Sequence, residues 1–231
     1  MANARSSHIG PKLTQTQMVA GYLYLPFYVA LLSMGLQYAD MLLGLNLTDL
    51  QLNACWFVLN ALFVFIIFHK FLLRSIRNIR FWELVQAVIL GFVFYYAGTW
   101  LFGFLIDLLN IRIVSFNDEA VRSLASDNYW VTVVCSVVIA PIVEETLVRG
   151  LIFGSIRPKS RIAAYCASML FFSLMHVWAY LPTEGVVPVL LAAAQYIPAS
   201  VALGWTYEKA NTVWAPIAVH MAINAISMSL I

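Results

Sequence analysis

Three short motifs carry the residues of this 231-residue chain that can do chemistry. The first is PIVEETLVRG, which places Glu144, Glu145 and Arg149 inside an otherwise apolar run. Charge within a spanning helix costs roughly 2.5 to 3.5 kcal/mol per residue on insertion scales, so such residues are rare and usually functional. Helix geometry gives the three residues two roles. Glu145 and Arg149 are four apart with the acid first, the favourable order for an intrahelical ion pair. Glu144 points about 100° away and is left free. Pro141, three residues earlier, frees the carbonyl of Val137 and predicts a kink where water can enter. Read alone, the cluster is equally a set of interfacial charges where a helix leaves the membrane.

The second motif, FSLMH, sets Phe172 and His176 on one helical face, and the third, HMAIN, does the same for His220 and Asn224. A lone membrane histidine commonly packs without catalysing, and a lone asparagine is interhelical glue. Three separate segments bringing polar groups into apolar surroundings is a different case. Unless they meet in one hydrated cavity, each carries its own desolvation cost. Together they support hydrolysis in two forms. A glutamate beside a histidine can deprotonate water, with His220 and the Asn224 amide donating to the oxyanion of a peptide carbonyl under attack. Alternatively, Glu144, His176 and His220 are a His₂Glu ligand set of the kind that holds catalytic zinc. Residue types leave both open. The chain has no HExxH, no GxSx nucleophile motif of the rhomboid kind and no GxGD of the presenilin kind, and Asp107 has no spanning aspartate partner. Outside enzymes, a transporter, proton relay or bacteriocin-immunity protein can use the same polar cavity to bind a cation or a partner.

EExxxR at Glu144–Arg149, FxxxH at Phe172–His176 and HxxxN at His220–Asn224, in this order on successive apolar segments, resemble the CPBP intramembrane protease family. That family includes the CAAX prenyl endopeptidases and bacteriocin-processing and Abi-type self-immunity relatives. The resemblance covers about residues 129–231. It implies that Glu144 and His176 activate water and that His220 and Asn224 hold the oxyanion, with Glu145, Arg149 and Phe172 in support. It also implies a metal-independent glutamate, although many family names say metalloprotease; zinc, if used, would fall to Glu144, His176 and His220.

The elements that must position these residues are membrane helices. The chain is 62% hydrophobic and 10% charged, whereas a soluble domain carries roughly a quarter charged residues. Its 13 Lys+Arg and 11 Asp+Glu cannot coat a water-soluble surface. A net charge of +2 with no basic stripe gives no sign of nucleic-acid binding. Cys55, Cys135 and Cys166 each lie in an apolar run without CxxC spacing, which argues against a disulfide framework. Apolar stretches at about 18–39, 51–69, 82–106, 129–153, 162–181, 186–206 and 212–231 predict an all-α polytopic bundle of seven transmembrane helices, within a range of six to eight. Pro188 and Pro198 mark 186–206 as a segment that can be broken or re-entrant. No repeat or linker divides the chain, so 1–231 reads as one integral-membrane domain with its motif-bearing core at 129–231.

Cations set the orientation, since cytoplasmic loops carry the excess of Lys and Arg. Lys70, Arg74, Arg77 and Arg80 fill the second loop and Arg157, Lys159 and Arg161 the fourth. Arg5, Lys12 and the Glu208–Lys209 turn fall on the same side, leaving Arg112 and Arg122 opposite. The N-terminus therefore reads as cytoplasmic, with the compact chain in a bacterial cytoplasmic membrane, and the family resemblance implies a membrane-anchored or membrane-proximal peptide as substrate. His8 belongs to the polar tail, and His69 snorkels at the cytoplasmic end of the second span. Residues 111–127 predict a short surface helix capped by Asn117, with Ala120, Val121 and Leu124 on its apolar face. One expectation conflicts with a shared site. With these boundaries Glu144 lies about 13 Å from the inner end of its helix and His176 about 22 Å, so the two miss each other.

Overall fold

The computed structural model describes residues 10–231, so His8 and Arg5 lie outside the described residues. Thr14 starts α1 (Gln15–Leu43) with a capping box to Gln17, and Thr48 starts α2 (Asp49–Arg77) with a second one to Gln51. Each box satisfies orphan N–H groups that lipid could not. Gly44, at φ +61°, ends α1 in the left-handed conformation that glycine adopts without strain. α3 (Phe81–Leu108) follows, then α4 (Phe116–Asp127) and α5 (Tyr129–Ile156). Beyond these come α6 (Arg161–Met175), α7 (Val186–Ala194), α8 (Ile197–Ala210) and α9 (Trp214–Ser229).

Four of these helices, α1, α2, α3 and α5, are long and apolar enough to cross a membrane. Two bent pairs raise the number to six: α6 turns by 51° into Trp178–Glu184, and α7 meets α8 at 40°. The break between α7 and α8 falls at Gln195 and Tyr196, with Pro198 in the first turn of α8, as the prolines of that segment predicted. Among the described residues the upper figure of six lies within the expected range of six to eight, one short of seven. α9 has 16 residues, about 24 Å of helix against a hydrocarbon core of about 30 Å.

α5 is the central helix. More than half of its apolar window, 56%, is buried, against 6% for α3, whose surface is left to lipid. α5 is also irregular. π-helical turns at Val134–Ile139 and Thr146–Phe153 flank a six-residue α stretch, Ala140–Glu145, that contains Pro141. The irregularity predicted at Pro141 takes the form of a widened turn before it, a frequent device at functional sites.

The cation-rich segments share one end of the bundle. The Arg74 guanidinium donates to the Lys12 carbonyl at 3.1 Å, the Gly10 N–H to Asn211 Oδ1 at 2.5 Å, and Arg161 pairs with Glu208 at 2.8 Å beside Arg157. That end is filled by Phe68 and Phe71 of α2, Leu147, Leu151 and Phe153 of α5 and Tyr207 of α8, all buried.

Two local expectations are corrected. α4 is capped at Ser115 rather than Asn117, and the Ser115 hydroxyl donates to Gln195 Oε1 at 2.9 Å instead of closing its own helix. Its buried residues are Phe116 and Ala125, while Ala120, Val121 and Leu124 are half-buried. His69 is exposed, but α2 continues past it to Arg77. All three cysteines are free.

Candidate active site

Glu144 ends the short α stretch of α5, with Oε2 turned toward two imidazoles. Nε2 of His176 lies at 3.8 Å and Nε2 of His220 at 4.0 Å. The predicted mismatch in depth does not occur. α5 runs on to Ile156, so Glu144 is twelve residues from the cation-bearing end of its helix, about 18 Å, against about 22 Å for His176 in α6. The longer helix removes half the expected gap, and the side chains span the rest.

Each histidine has its ring orientation fixed by its other nitrogen. His176 caps the C-terminus of α6, and its Nδ1 lies 2.7 Å from the Phe172 carbonyl. A carbonyl only accepts, so Nδ1 carries the proton and Nε2 keeps its lone pair. The FxxxH spacing thus selects the tautomer in which the nitrogen facing Glu144 is basic. Tyr196 stacks on the same imidazole with ring centroids 4.4 Å apart and planes at 20°. His220, on α9, places Nδ1 3.0 Å from Glu145 Oε1.

Glu145 and Arg149 form the predicted ion pair at 3.1 Å, both completely buried. Arg149 also donates to the Ser200 carbonyl at 3.0 Å and hydroxyl at 3.2 Å, and lies 4.5 Å from the centre of the Phe172 ring. α5, α6, α8 and α9 are therefore joined at one point. A charge pair taken out of water needs such additional bonds to offset its desolvation. Asn224 lies one turn beyond His220, where Nδ2 donates to the Ser136 carbonyl at 2.8 Å.

Glu144, Phe172, His176, His220 and Asn224 together line a cavity of about 500 Å³. Glu144 Oε2 is itself covered and has no hydrogen-bond partner among the described residues; a tenth of the side chain stays accessible. Glu145 and Arg149 lie outside the cavity, as supports.

The donor types suit zinc, and as they stand the side chains are spaced more widely than zinc ligands. Ligands about 2.0 to 2.2 Å from a tetrahedral zinc stand about 3.3 Å apart, less than the 3.8 and 4.0 Å found here. Among the described residues, no three His, Cys, Asp or Glu side chains are grouped to hold a metal ion.

Sequence reasoning missed Tyr28. This buried residue of α1 sits on the π-helical turn Phe27–Leu31, directly after Pro26, and its phenol faces Glu144. Pro26 was the one available signal of irregular backbone there. Tyr196, Ser200 and the cavity-lining Asp118 of α4 were missed as well, because none belongs to a spaced motif.

Residues 126–226 match the family described as type II CAAX prenyl endopeptidase Rce1-like. This match supports the CPBP family. It takes in every motif residue of the site and leaves α1, α2 and α3 outside. The matched segment is less than half of the chain, and over it the chain is similar to the CAAX-type endopeptidases; the long apolar helices are those of an integral membrane protein. No curated protein and no solved structure matches the chain.

Proposed function

We propose that the protein is an intramembrane endopeptidase that hydrolyses a peptide bond with water activated by Glu144 and His176, without a metal. The observation that carries this reading is the convergence of Glu144, His176 and His220 at the floor of one cavity. A water on the cavity side of Glu144 gives up a proton to the carboxylate or to Nε2 of His176, the nitrogen that holds a lone pair. The hydroxide oxygen bonds to the peptide carbonyl carbon. The carbonyl oxygen takes up the negative charge, and the abstracted proton passes to the leaving amine as the C–N bond breaks. His220 donates to that oxyanion from Nε2. To do so it carries protons on both nitrogens, with Glu145 balancing the charge at Nδ1. The Asn224 amide, held by the Ser136 carbonyl, has its second N–H to offer.

The substrate is a membrane-anchored or membrane-proximal peptide. The alternative, a transporter or proton relay, needs a polar path to both faces. The buried apolar side chains of Phe68, Phe71, Leu151 and Phe153 below the site argue against one.

The test is cleavage of a membrane-anchored peptide by purified protein in lipid, comparing wild type with Glu144→Gln and His176→Ala, with and without a chelator. Each variant loses about 10²- to 10⁴-fold in rate, and the chelator changes nothing. Wild-type rates in both variants would refute the peptidase reading, and loss of activity on chelation would refute the metal-free one.

A further inference from the structure

The cavity and the cations occupy opposite ends of the molecule. Lining residues come from one half of each long helix: Thr99 and Ile106 of α3, Ser136 of α5, Asn224 and Ser227 of α9. The rim is polar and lies around α4 and its approach, where Asp107, Asn117, Asp118 and Arg122 border the opening. Arg112 and Arg122 are the only Lys or Arg residues between Arg80 and Arg149.

At the other end, Arg74 is bonded to the Lys12 carbonyl and Arg157 and Arg161 to Glu208, and Lys70, Arg77, Arg80, Lys159 and Lys209 flank them in sequence. Between that end and the cavity stand Phe68, Phe71, Leu147, Leu151 and Phe153, buried and packed together. Positive charge near span ends is retained on the cytoplasmic side, and the bias is counted over short loops such as these.

We infer that the site is entered from the extracytoplasmic face, and that its substrate is an exported peptide or the extracytoplasmic segment of a membrane-anchored protein rather than a cytosolic chain end. The substrate half of this inference rests on the peptidase reading; the access half does not. A peptide arriving from outside meets the α4 rim, passes Asn117 and Asp118, and reaches Glu144 with no helix to displace. A peptide arriving from the cytoplasm meets a packed apolar core. Opening that route would break the buried contacts that α2, α5 and α8 make with one another.

The experiment is thiol labelling of the full-length protein in intact bacterial cells with a membrane-impermeant maleimide. Cys55, Cys135 and Cys166 are first replaced by alanine, and single cysteines are then introduced as Ser227→Cys at the mouth, Ser136→Cys inside the cavity and Lys159→Cys at the cationic end. The expected result is labelling of the first two in intact cells, and of the Lys159→Cys variant only after permeabilisation, with at least a tenfold difference in rate. The reverse pattern overturns the inference, as does labelling of all three in intact cells. Labelling at 227 but not at 136 overturns the open route to the site. A fourth arm sets the two readings apart: the Glu144→Gln change is added to the Ser136→Cys variant. Unchanged labelling with lost cleavage sustains both. Unchanged labelling with unchanged cleavage keeps the access route and removes the peptidase reading with its substrate.

Discussion

At the scale of single residues, two networks meet at Glu144 and make different predictions. Arg149, Glu145 and His220 form a buried chain in which the Glu145 carboxylate pairs with the guanidinium and lies 3.0 Å from Nδ1 of the imidazole. Removing one member leaves an uncompensated charge away from water, which costs about 3 to 5 kcal/mol. Arg149→Ala is therefore expected to lower the thermal midpoint sharply and the folded yield with it, before any effect on chemistry can be read. Normal accumulation of that variant with a defect confined to KM would show that the arginine handles substrate instead. Tyr28 acts differently. Its hydroxyl faces the Glu144 carboxylate while its ring packs 5.2 Å from Trp56. Tyr28→Phe keeps the packing and removes only the hydroxyl that faces the Glu144 carboxylate. The expected outcome is a ten- to hundredfold lower kcat with unchanged KM and an unchanged thermal midpoint. Steady-state kinetics with a melt of the same sample decides it, and a shifted midpoint would mean that the tyrosine serves packing. Neither the pairing of Glu145 with His220 nor the approach of Tyr28 was legible in the sequence. The Glu145–Arg149 spacing was, because it depends only on helix periodicity, whereas the other two depend on how α9 and a π-helical turn of α1 rotate against α5.

At the scale of elements, the motifs named the helices that matter and misjudged where those helices end. α5 extends to Ile156 rather than residue 153, and that shift brings Glu144 toward the depth of His176. The cap of α4 went to Ser115 because Gln195, far away in sequence, supplies its partner. Spans made of two bent helices read as single apolar stretches because hydropathy carries no angle. Two element-level predictions follow from contacts the sequence could not show. α3 meets α8 at Gly91, where an added Cβ would lie 2.0 Å from Thr206 Oγ1. Gly91→Ala must push the helices apart, and overpacking of this kind costs about 1 to 3 kcal/mol; an unchanged melt would show that Thr206 moves freely. Asp118, in the first turn of α4, bears on pH. The residue is exposed overall, but desolvation at the rim raises its carboxyl above the ordinary range, with Arg122 and His176 pulling it back down. A carboxyl whose folded pKa is raised binds its proton more tightly in the folded state. Its contribution to stability is present below about pH 4, the unfolded value, and is lost as pH rises through the folded one. Asp118→Asn is therefore expected to melt like wild type at pH 4 and above it at pH 7. A midpoint below wild type at pH 7 would mean that the charge of Asp118 stabilises α4.

At the scale of the whole molecule, one end is solid and the other hollow, and the same chemical change should have different consequences at the two ends. Composition showed that the protein lies in a membrane, and the cations grouped its loops, but neither carried information on where the interior is filled. That depends on side chains far apart in sequence meeting in space, as Phe68, Leu151 and Tyr207 do. Phe71 is completely buried in the filled end, whereas Phe102 of α3 is half-buried and lines the cavity. Truncating Phe71 leaves a void among close-packed neighbours, so Phe71→Ala is expected to cost about 3 to 5 kcal/mol. Phe102 already borders open space, so Phe102→Ala loses few contacts and enlarges a cavity that exists. Its cost should stay below about 1 kcal/mol, nearer that of a surface change, and its effect should appear as a higher KM if the wall it forms holds the peptide. Thermal unfolding in one detergent, with peptide cleavage measured on the same preparations, separates the two. Equal destabilisation by both changes would show that the cavity wall is part of the load of the fold. Division of the molecule into a supporting end and a working end would then be wrong.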